Sequence, residues 1–482
     1  MLLRHGFLYA LGRGLPGLVN FVALAVYTRL LAPEQFGEYT LVVTAVGTAD
    51  AFLLQWLRLA LLRFLPRADV DPRTTLATIA RMLLVIVAAA CLVAGVAATL
   101  FVTDPTTRQL VYLGIALFLV QGVFELTIER ERSQLSPARY GAYAAGKAVL
   151  SLAFGAGLAL LGWGAASLLV GLVAAMLLTL VVLGAPGLWA RALTGPFERR
   201  LVRNVLAYGL PLATTATLGF VVSTSDRFML AGFLDSGVAG VYAVGYDLAN
   251  YGIGMLLSIV NLAAYPLVVA ALERDGPAAA RQELSRTVSL LLMFGLPAAA
   301  GMAVLAPNIA AVLVGQEFEA ATKAVLPWIA GAALIAGVKS YYLDLAFQLG
   351  RDTLKQLWIM LVSMALNVSL NLWWIPTLGL MGALYSTVVA YVVAAALAWW
   401  FGRSSFALPP LPRQPVGAIV AATTVMTVAL AFTRDWSGAA PLAAQVLGGG
   451  LVYLAALLLL DRRLLRPLVQ RVAARGQRGS SD

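Results

Sequence analysis

Residues 78–102 read TIARMLLVIVAAACLVAGVAATLFV. One charge, Arg81, stands near the start of this stretch, and the rest is apolar or small. As a helix it would rise about 37 Å at about 1.5 Å per residue. The hydrocarbon core of a bilayer is roughly 30 Å thick, so the stretch is long enough to cross it. Stretches of this kind recur from end to end and predict fourteen spans. They fall at about 11–31, 38–65, 78–102, 109–128, 138–161, 164–184, 204–228, 238–271, 284–306, 325–347, 354–375, 379–401, 415–432 and 440–460. Breakers such as Gly162-Trp163-Gly164 and Pro376-Thr377-Leu378-Gly379 fit tight turns between antiparallel neighbours.

Composition agrees with this reading. Of 482 residues, 61% are apolar and 12% charged, and the mean hydropathy is +0.86. A soluble domain carries about 25% charged residues. The deficit leaves too little polar surface for a water-soluble body, which argues against a cytosolic enzyme, a nucleic-acid-binding module and a disordered chain. The expected class is an all-α polytopic membrane protein. Cys91 is the one cysteine and His5 the one histidine. No intrachain disulfide, multi-His metal site or Ser-His-Asp triad can be assembled from them. The first apolar run lacks a small-x-small cleavage site and reads as a first membrane helix rather than a signal peptide.

The net charge of +11 follows the topology. With the N-terminus inside, the cytoplasmic segments hold 26 of the 34 basic residues. The outer segments hold Arg29, Arg108, Arg227, Lys323 and Arg434, and only Arg58, Lys147 and Lys339 remain inside spans. Basic residues concentrate on cytoplasmic loops, so this asymmetry predicts an even number of spans with both termini cytoplasmic.

A short internal repeat divides the chain. Leu30-Leu31-Ala32-Pro33-Glu34-Gln35-Phe36-Gly37-Glu38-Tyr39 follows the first span, and Phe233-Leu234-Asp235-Ser236-Gly237-Val238-Ala239-Gly240-Val241-Tyr242 follows the seventh. Each is an apolar pair, a turn, and a Gly-x-Tyr opening the next helix. A second echo pairs Gly162–Val170 with Gly379–Thr387. Six spans separate equivalent points, so the halves share an orientation, as in two-lobed secondary transporters. The expected organisation is an N-terminal lobe (1–188), a cytoplasmic linker (189–203), a C-terminal lobe (204–407), two further helices (408–461) and a basic tail (462–482).

The stretch Thr28-Arg29-Leu30-Leu31-Ala32-Pro33-Glu34-Gln35-Phe36-Gly37-Glu38-Tyr39 resembles the first-hairpin signature of the polysaccharide (O-antigen-type) flippase family. That family lies in the multidrug/oligosaccharidyl-lipid/polysaccharide (MOP) exporter superfamily. Supporting pieces are Pro307-Asn308-Ile309, Leu313 to Phe318, Asn367 with Asn371, and Ile375 to Ala383. The resemblance covers roughly residues 10–400. It implies two six-helix lobes around a central cavity with two helices appended. It also implies movement of an undecaprenyl-pyrophosphate-linked oligosaccharide to the outer leaflet of the bacterial cytoplasmic membrane. Expected partners are the lipid-linked glycan, membrane lipids, a polysaccharide polymerase and glycosyltransferases, with no nucleic acid. Two relatives compete: a cation-coupled multidrug exporter and a lipid II flippase. A membrane glycosyltransferase or polymerase would need an acidic catalytic motif in a sizeable loop, which the sequence lacks.

A pyrophosphate head group needs cations. Intramembrane charges are the place to look, since each costs at least about 2.5–3.5 kcal/mol at a helix centre without a partner or water. Arg58, Lys147 and Lys339 all fall roughly 10–14 Å from the expected cytoplasmic boundary. They are the candidate substrate-binding tier, set against simple snorkelling. Arg58 leads, because guanidinium holds phosphate bidentately. No cofactor is expected beyond a coupling H+ or Na+. Asp247, among Tyr246, Asn250 and Tyr251, is the first candidate for that ion, with Asp50 and Asp344 as further acids. Asp50 and Arg58 stand about 12 Å apart along a straight helix and can pair only if it bends. Asp344 can neutralise Lys339. Asp226-Arg227 reads as an interfacial pair, Glu125 to Arg132 as a solvated helix end, and Asn367 with Asn371 as a stitch between helices. Trp373, Trp374, Trp399 and Trp400 suit an interfacial belt, and the basic tail suits anionic lipid.

Overall fold

Charged turns and proline-led starts punctuate the apolar stretches, and the helices begin where they should. The computed structural model describes residues 2–66 and 71–461, with side chains over 16–66, 71–210, 218–221 and 224–461. The expected tail, 462–482, lies outside the described residues. Every regular element among those described is helical. In chain order these are α1 (Leu2–Leu30), α2 (Pro33–Leu53), α3 (Gln55–Phe64), α4 (Pro72–Phe101), α5 (Pro105–Ser133), α6 (Pro137–Leu160), α7 (Ala165–Val182), α8 (Ala185–Leu193), α9 (Arg199–Phe233) and α10 (Ser236–Ala249). They continue as α11 (Met255–Asp275), α12 (Pro277–Val304), α13 (Ala306–Leu313), α14 (Gln316–Val338), α15 (Leu345–Leu349), α16 (Thr353–Leu378), α17 (Leu380–Ser405), α18 (Arg413–Ala431) and α19 (Ala439–Leu460). Proline at the first position opens α2, α4, α5, α6 and α12, where its missing N–H costs nothing. Asp71 and Asp104 cap α4 and α5. Hydrogen bonding with Thr74 and Thr107 holds these two carboxyls below their ordinary range.

Among the described residues, eleven helical stretches are long and apolar enough to cross a membrane, or twelve if α2 and α3 count as one span bent by 46°. Length and apolarity thus stop short of the fourteen expected. Helices α1 and α9, where the first and seventh spans were expected, each include residues whose side chains are not described. Two expected spans are interrupted by π turns: Asn250–Gly254 joins α10 to α11, and Lys339–Leu343 joins α14 to α15. The apolar outer faces are bare. Val85, Leu92, Val93 and Leu100 of α4 are each 68–69% exposed, as are Leu447 and Leu451 of α19. In water such surfaces would drive aggregation; in lipid they are solvated. The chain is a multi-pass membrane protein.

The helices pack as two compact units: residues up to 244 together with 364–383, and 245–363 together with 384 onward. In the first unit, Leu57, Ala60 and Leu61 of α3 meet Ile79, Leu117, Phe124, Leu169 and Met176 with almost no exposure. Helix α6 packs on both α1 and α7, and Tyr27 Oη donates to the Ser151 carbonyl at 2.8 Å. In the second unit, α18 and α19 pack on α12. Tyr453 Oη donates to the Met293 carbonyl at 2.8 Å, and the Asn308 amide donates to Gln445 at 2.7 Å.

The two copies of the Gly-x-Tyr motif meet each other inside the first unit. A Cβ on Gly37 would overlap the Ser236 carbonyl, and one on Gly240 would lie 2.5 Å from the Pro33 carbonyl and 2.8 Å from the Gly37 nitrogen. Only hydrogen at both positions allows the helix starts to approach this closely, so the repeat marks a contact between its own two copies. Gly37→Ala or Gly240→Ala should therefore lower the thermal unfolding midpoint in detergent by several degrees or abolish expression. Gly157→Ala, which meets nothing within 4 Å, should leave it unchanged. Equal midpoints for all three variants would refute this account of the crossing.

Candidate functional site

Helix α2 breaks at Leu54, whose φ of −122° leaves the helical range while its N–H still bonds the Asp50 carbonyl at 2.9 Å. The resulting bend brings together two side chains that a straight helix would hold apart. Arg58 Nη1 donates to Asp50 Oδ1 at 2.9 Å and Nη2 to Oδ2 at 2.7 Å. This is the bidentate fork that guanidinium favours. The condition set by the sequence, pairing only with a bend, is met by the bend itself. Asp50 is 6% exposed, so the pair is largely removed from solvent.

A second pair adjoins it. Lys147 Nζ on α6 lies 3.1 Å from Glu125 Oε1 on α5 and 5.3 Å from the centre of the Phe124 ring. The carboxylates of Glu125 and Glu129 also act on Arg58 electrostatically. Asp50, Arg58, Glu125 and Lys147 therefore form one network of alternating charge, contributed by four helices of a single unit. Lys147 and Glu125 keep 29% and 30% of their side chains exposed.

The third candidate cation, Lys339, lies in the second unit. It opens the second π turn, and its ammonium lies 2.8 Å from Asp344 Oδ2. Asp344, 4% exposed, also accepts from Gln356 at 3.3 Å, and its other carboxylate oxygen has no partner. The neutralising role expected of Asp344 is what the geometry shows. Asp247 is half-buried on α10, just ahead of the first π turn.

The structure adds detail to two sequence expectations. Asp226 and Arg227 are buried, at 1% and 9% exposure. Asp226 accepts from Tyr242 Oη at 2.6 Å and from the Asn371 amide at 2.5 Å, and Asn371 also donates to Asn367 Oδ1 at 3.2 Å. Asn371 Oδ1 is buried with no partner. The two asparagines do stitch helices together, and what they hold is this carboxylate. The helix end at Glu125–Arg132 is not wholly solvated either. Glu131, 2% exposed, lies 2.6 Å from Arg130 and 3.8 Å from Arg139. Helix α8 is pinned there by a bond from Trp189 Nε1 to Thr127 at 2.9 Å. The i, i+4 asparagines marked a polar face, and Tyr242 belongs to the repeat motif. Nothing local joined either to Asp226, since Asn371 is 145 residues away.

Similarity to known proteins converges on one group. Over 264 residues the chain is 29% identical to the probable lipid II flippase MurJ of Rhizobium meliloti (strain 1021). That match spans 51% of this chain and 48% of the other, so the chain spans about half the length of this curated relative. A solved lipid II flippase MurJ in an inward closed conformation superposes with a TM-score of 0.78 at 13% identity, covering 95% of this chain and 100% of that one. An inward-facing multidrug resistance MATE family transporter of the MOP superfamily gives 0.62 at 15% identity, with 86% and 96% covered. At these identities the superpositions establish the fold. A family model, described as polysaccharide biosynthesis protein, matches residues 26–323. That is more than half of the chain, which belongs to the polysaccharide biosynthesis protein family.

Proposed function

We propose that the protein is a flippase that carries an undecaprenyl-pyrophosphate-linked oligosaccharide from the inner to the outer leaflet of the bacterial cytoplasmic membrane. It would be a transporter, not an enzyme, with both termini cytoplasmic. Glycosyltransferases would supply its cargo and a polymerase consume it. The observation that carries this reading is the network Asp50–Arg58–Glu125–Lys147 within apolar helices. Family membership supports the same reading. A second reading, a lipid II flippase, is favoured by the likeness to MurJ in sequence and fold. Both cargoes present the same polyprenyl pyrophosphate to the same cations.

Each sugar hydroxyl costs about 2–7 kcal/mol when buried in an apolar medium without a partner. Transport therefore needs a wet path for the head while the tail stays in lipid. In the resting network each cation already holds a carboxylate. An arriving pyrophosphate exchanges for those carboxylates at Arg58 and Lys147, and the displaced acids are free to take a proton. With the potential negative inside, each negative charge crossing the full field gains about 2.3 kcal/mol per 100 mV, which favours outward movement.

The coupling cation remains to be placed. Asp247, Asp50 and Asp344 were the acids marked by sequence. Asp226 is more deeply buried, but both its carboxylate oxygens already accept hydrogen bonds, from Tyr242 Oη and the Asn371 amide. Asp247 therefore stays the proposed coupling-ion site, with Asp50 and Asp344 as further acids.

Flipping assayed in proteoliposomes should be lost in Arg58→Ala and partly restored in Arg58→Lys, with Lys147→Ala weakened in the same direction. Wild-type rates in all three at equal protein levels would remove the network from transport. Stability separates the structural role of the pair. Arg58→Ala alone leaves Asp50 buried and unpaired, a loss of about 3–5 kcal/mol, whereas Arg58→Ala with Asp50→Ala should unfold later than the single variant and still not transport. Asp247→Asn should retain cargo binding but lose its response to a sodium or proton gradient, and an unchanged response would remove Asp247 from coupling.

A further inference from the structure

The second unit contains a site that the charged network does not use. Its two interrupted spans place their π turns around one cavity of about 150 Å³. The wider i→i+5 turn forces an extra residue into the helix. Such turns are rare and concentrate at functional sites. Here both contribute to the same wall: Asn250 and Gly254 from the first, Ser340 and Tyr341 from the second. Tyr246 of α10 and Tyr391 of α17 complete the polar lining, with their hydroxyls 3.4 Å apart. The remaining wall comes from α14: Ile329 and small residues such as Ala332 and Ala336, one turn apart.

The chemistry of this lining is specific. It offers three phenols, a carboxamide and an aliphatic hydroxyl, and no Asp, Glu, Lys or Arg. It therefore has no charge with which to hold a pyrophosphate or a metal ion. Lys339, on the same π turn, is turned to Asp344 instead. What the lining can do is donate and accept hydrogen bonds with neutral partners. Asn250 brings two donors and an acceptor oxygen, and the hydroxyls do both. The tyrosine rings and the bare alanine wall suit the flat, weakly apolar faces of a sugar ring. A cavity of about 150 Å³ leaves room for one ring.

Gly254 explains how the amide is presented. A Cβ there would overlap Asn250 Oδ1, so only glycine lets that side chain lie across the turn. Asn250 and Ser340 are both exposed, so their polar groups are available to a ligand.

We infer that this cavity is a sugar subsite, taking one neutral pyranose ring and reading its hydroxyls through Asn250, Ser340 and Tyr391. The class of ligand follows from the lining. That the ring is part of the lipid-linked cargo rests on the flippase reading above.

The test uses two probes on the purified full chain: undecaprenyl pyrophosphate, and the same lipid carrying one N-acetylhexosamine. Wild-type protein should bind the glycosylated probe about tenfold more tightly, a difference of about 1.4 kcal/mol. Asn250→Ala with Tyr391→Phe should erase that difference and leave the affinity for bare lipid unchanged. Gly254→Ala, which displaces the amide without deleting it, should erase part of it. A wild-type protein that does not discriminate, or a cavity variant that weakens both probes equally, would overturn the subsite. If wild type binds neither probe, the flippase reading fails. The cavity is then judged by labelling Ser340→Cys in a Cys91→Ser chain with a neutral maleimide. Protection by neutral hexoses but not by inorganic pyrophosphate sustains a sugar site, and absence of protection overturns it.

Discussion

A guanidinium inside an apolar helix must find its counter-charge within the reach of its own side chain, because no water is there to replace it. Arg58 finds Asp50 eight residues back on the same span, and this is possible only because the helix breaks at Leu54. The bend does more than join two charges. It redirects α3 so that Leu57, Ala60 and Leu61 enter the core of the first unit with no measurable exposure. It also sets Arg58 within the field of Glu125 and Glu129 on α5. Removing the carboxylate would strand the cation, and straightening the helix would withdraw the apolar face with it. Local backbone irregularity, charge pairing and core packing are thus one device at this point in the chain.

Much of the fold was legible because lipid leaves few options. Backbone groups must be satisfied within the segment, so long apolar runs become helices, and the proline and aspartate starts set their beginnings. The interruptions were not legible. Residues 249–255 read ANYGIGM and 338–344 read VKSYYLD; neither contains a proline, and both turn out as π segments within otherwise helical runs. Among site residues, the sequence singled out Arg58, Lys147 and Lys339, because charge deep in an apolar run is conspicuous. It could not supply their partners. Lys147 pairs across 22 residues and Asn371 reaches Asp226 across 145. Such distances are set by packing, and periodicity carries no information about them. Position along a span suggested an interfacial pair at Asp226-Arg227 and could not show that neighbouring helices bury both.

The repeat shows the opposite case, in which a pattern without chemistry proved to have geometric content. Gly37 and Gly240 are far apart in sequence and lie in equivalent settings, each three residues or fewer before an aromatic. Their mutual contact explains why both copies keep glycine: each needs the other's side chain to be absent. A contact between equivalent points of a duplicated unit is self-consistent, because one small-residue solution serves both sides.

The resting state of the charged network bears on how a carrier can release what it binds. Two bare cations in a low-dielectric site would hold a pyrophosphate too strongly to let it go, since opposite charges interact far more strongly there than in water. Carboxylates already in place change the process from capture to exchange. The cations lose Asp50 and Glu125 as they gain phosphate, and on release the carboxylates return, so the two end states differ by much less than the strength of either set of bonds. Directionality then need not come from affinity. On the proposed reading it comes from the membrane potential acting on the head group's charge, while recognition of the sugar is left to a neutral cavity whose hydrogen bonds do not depend on that field.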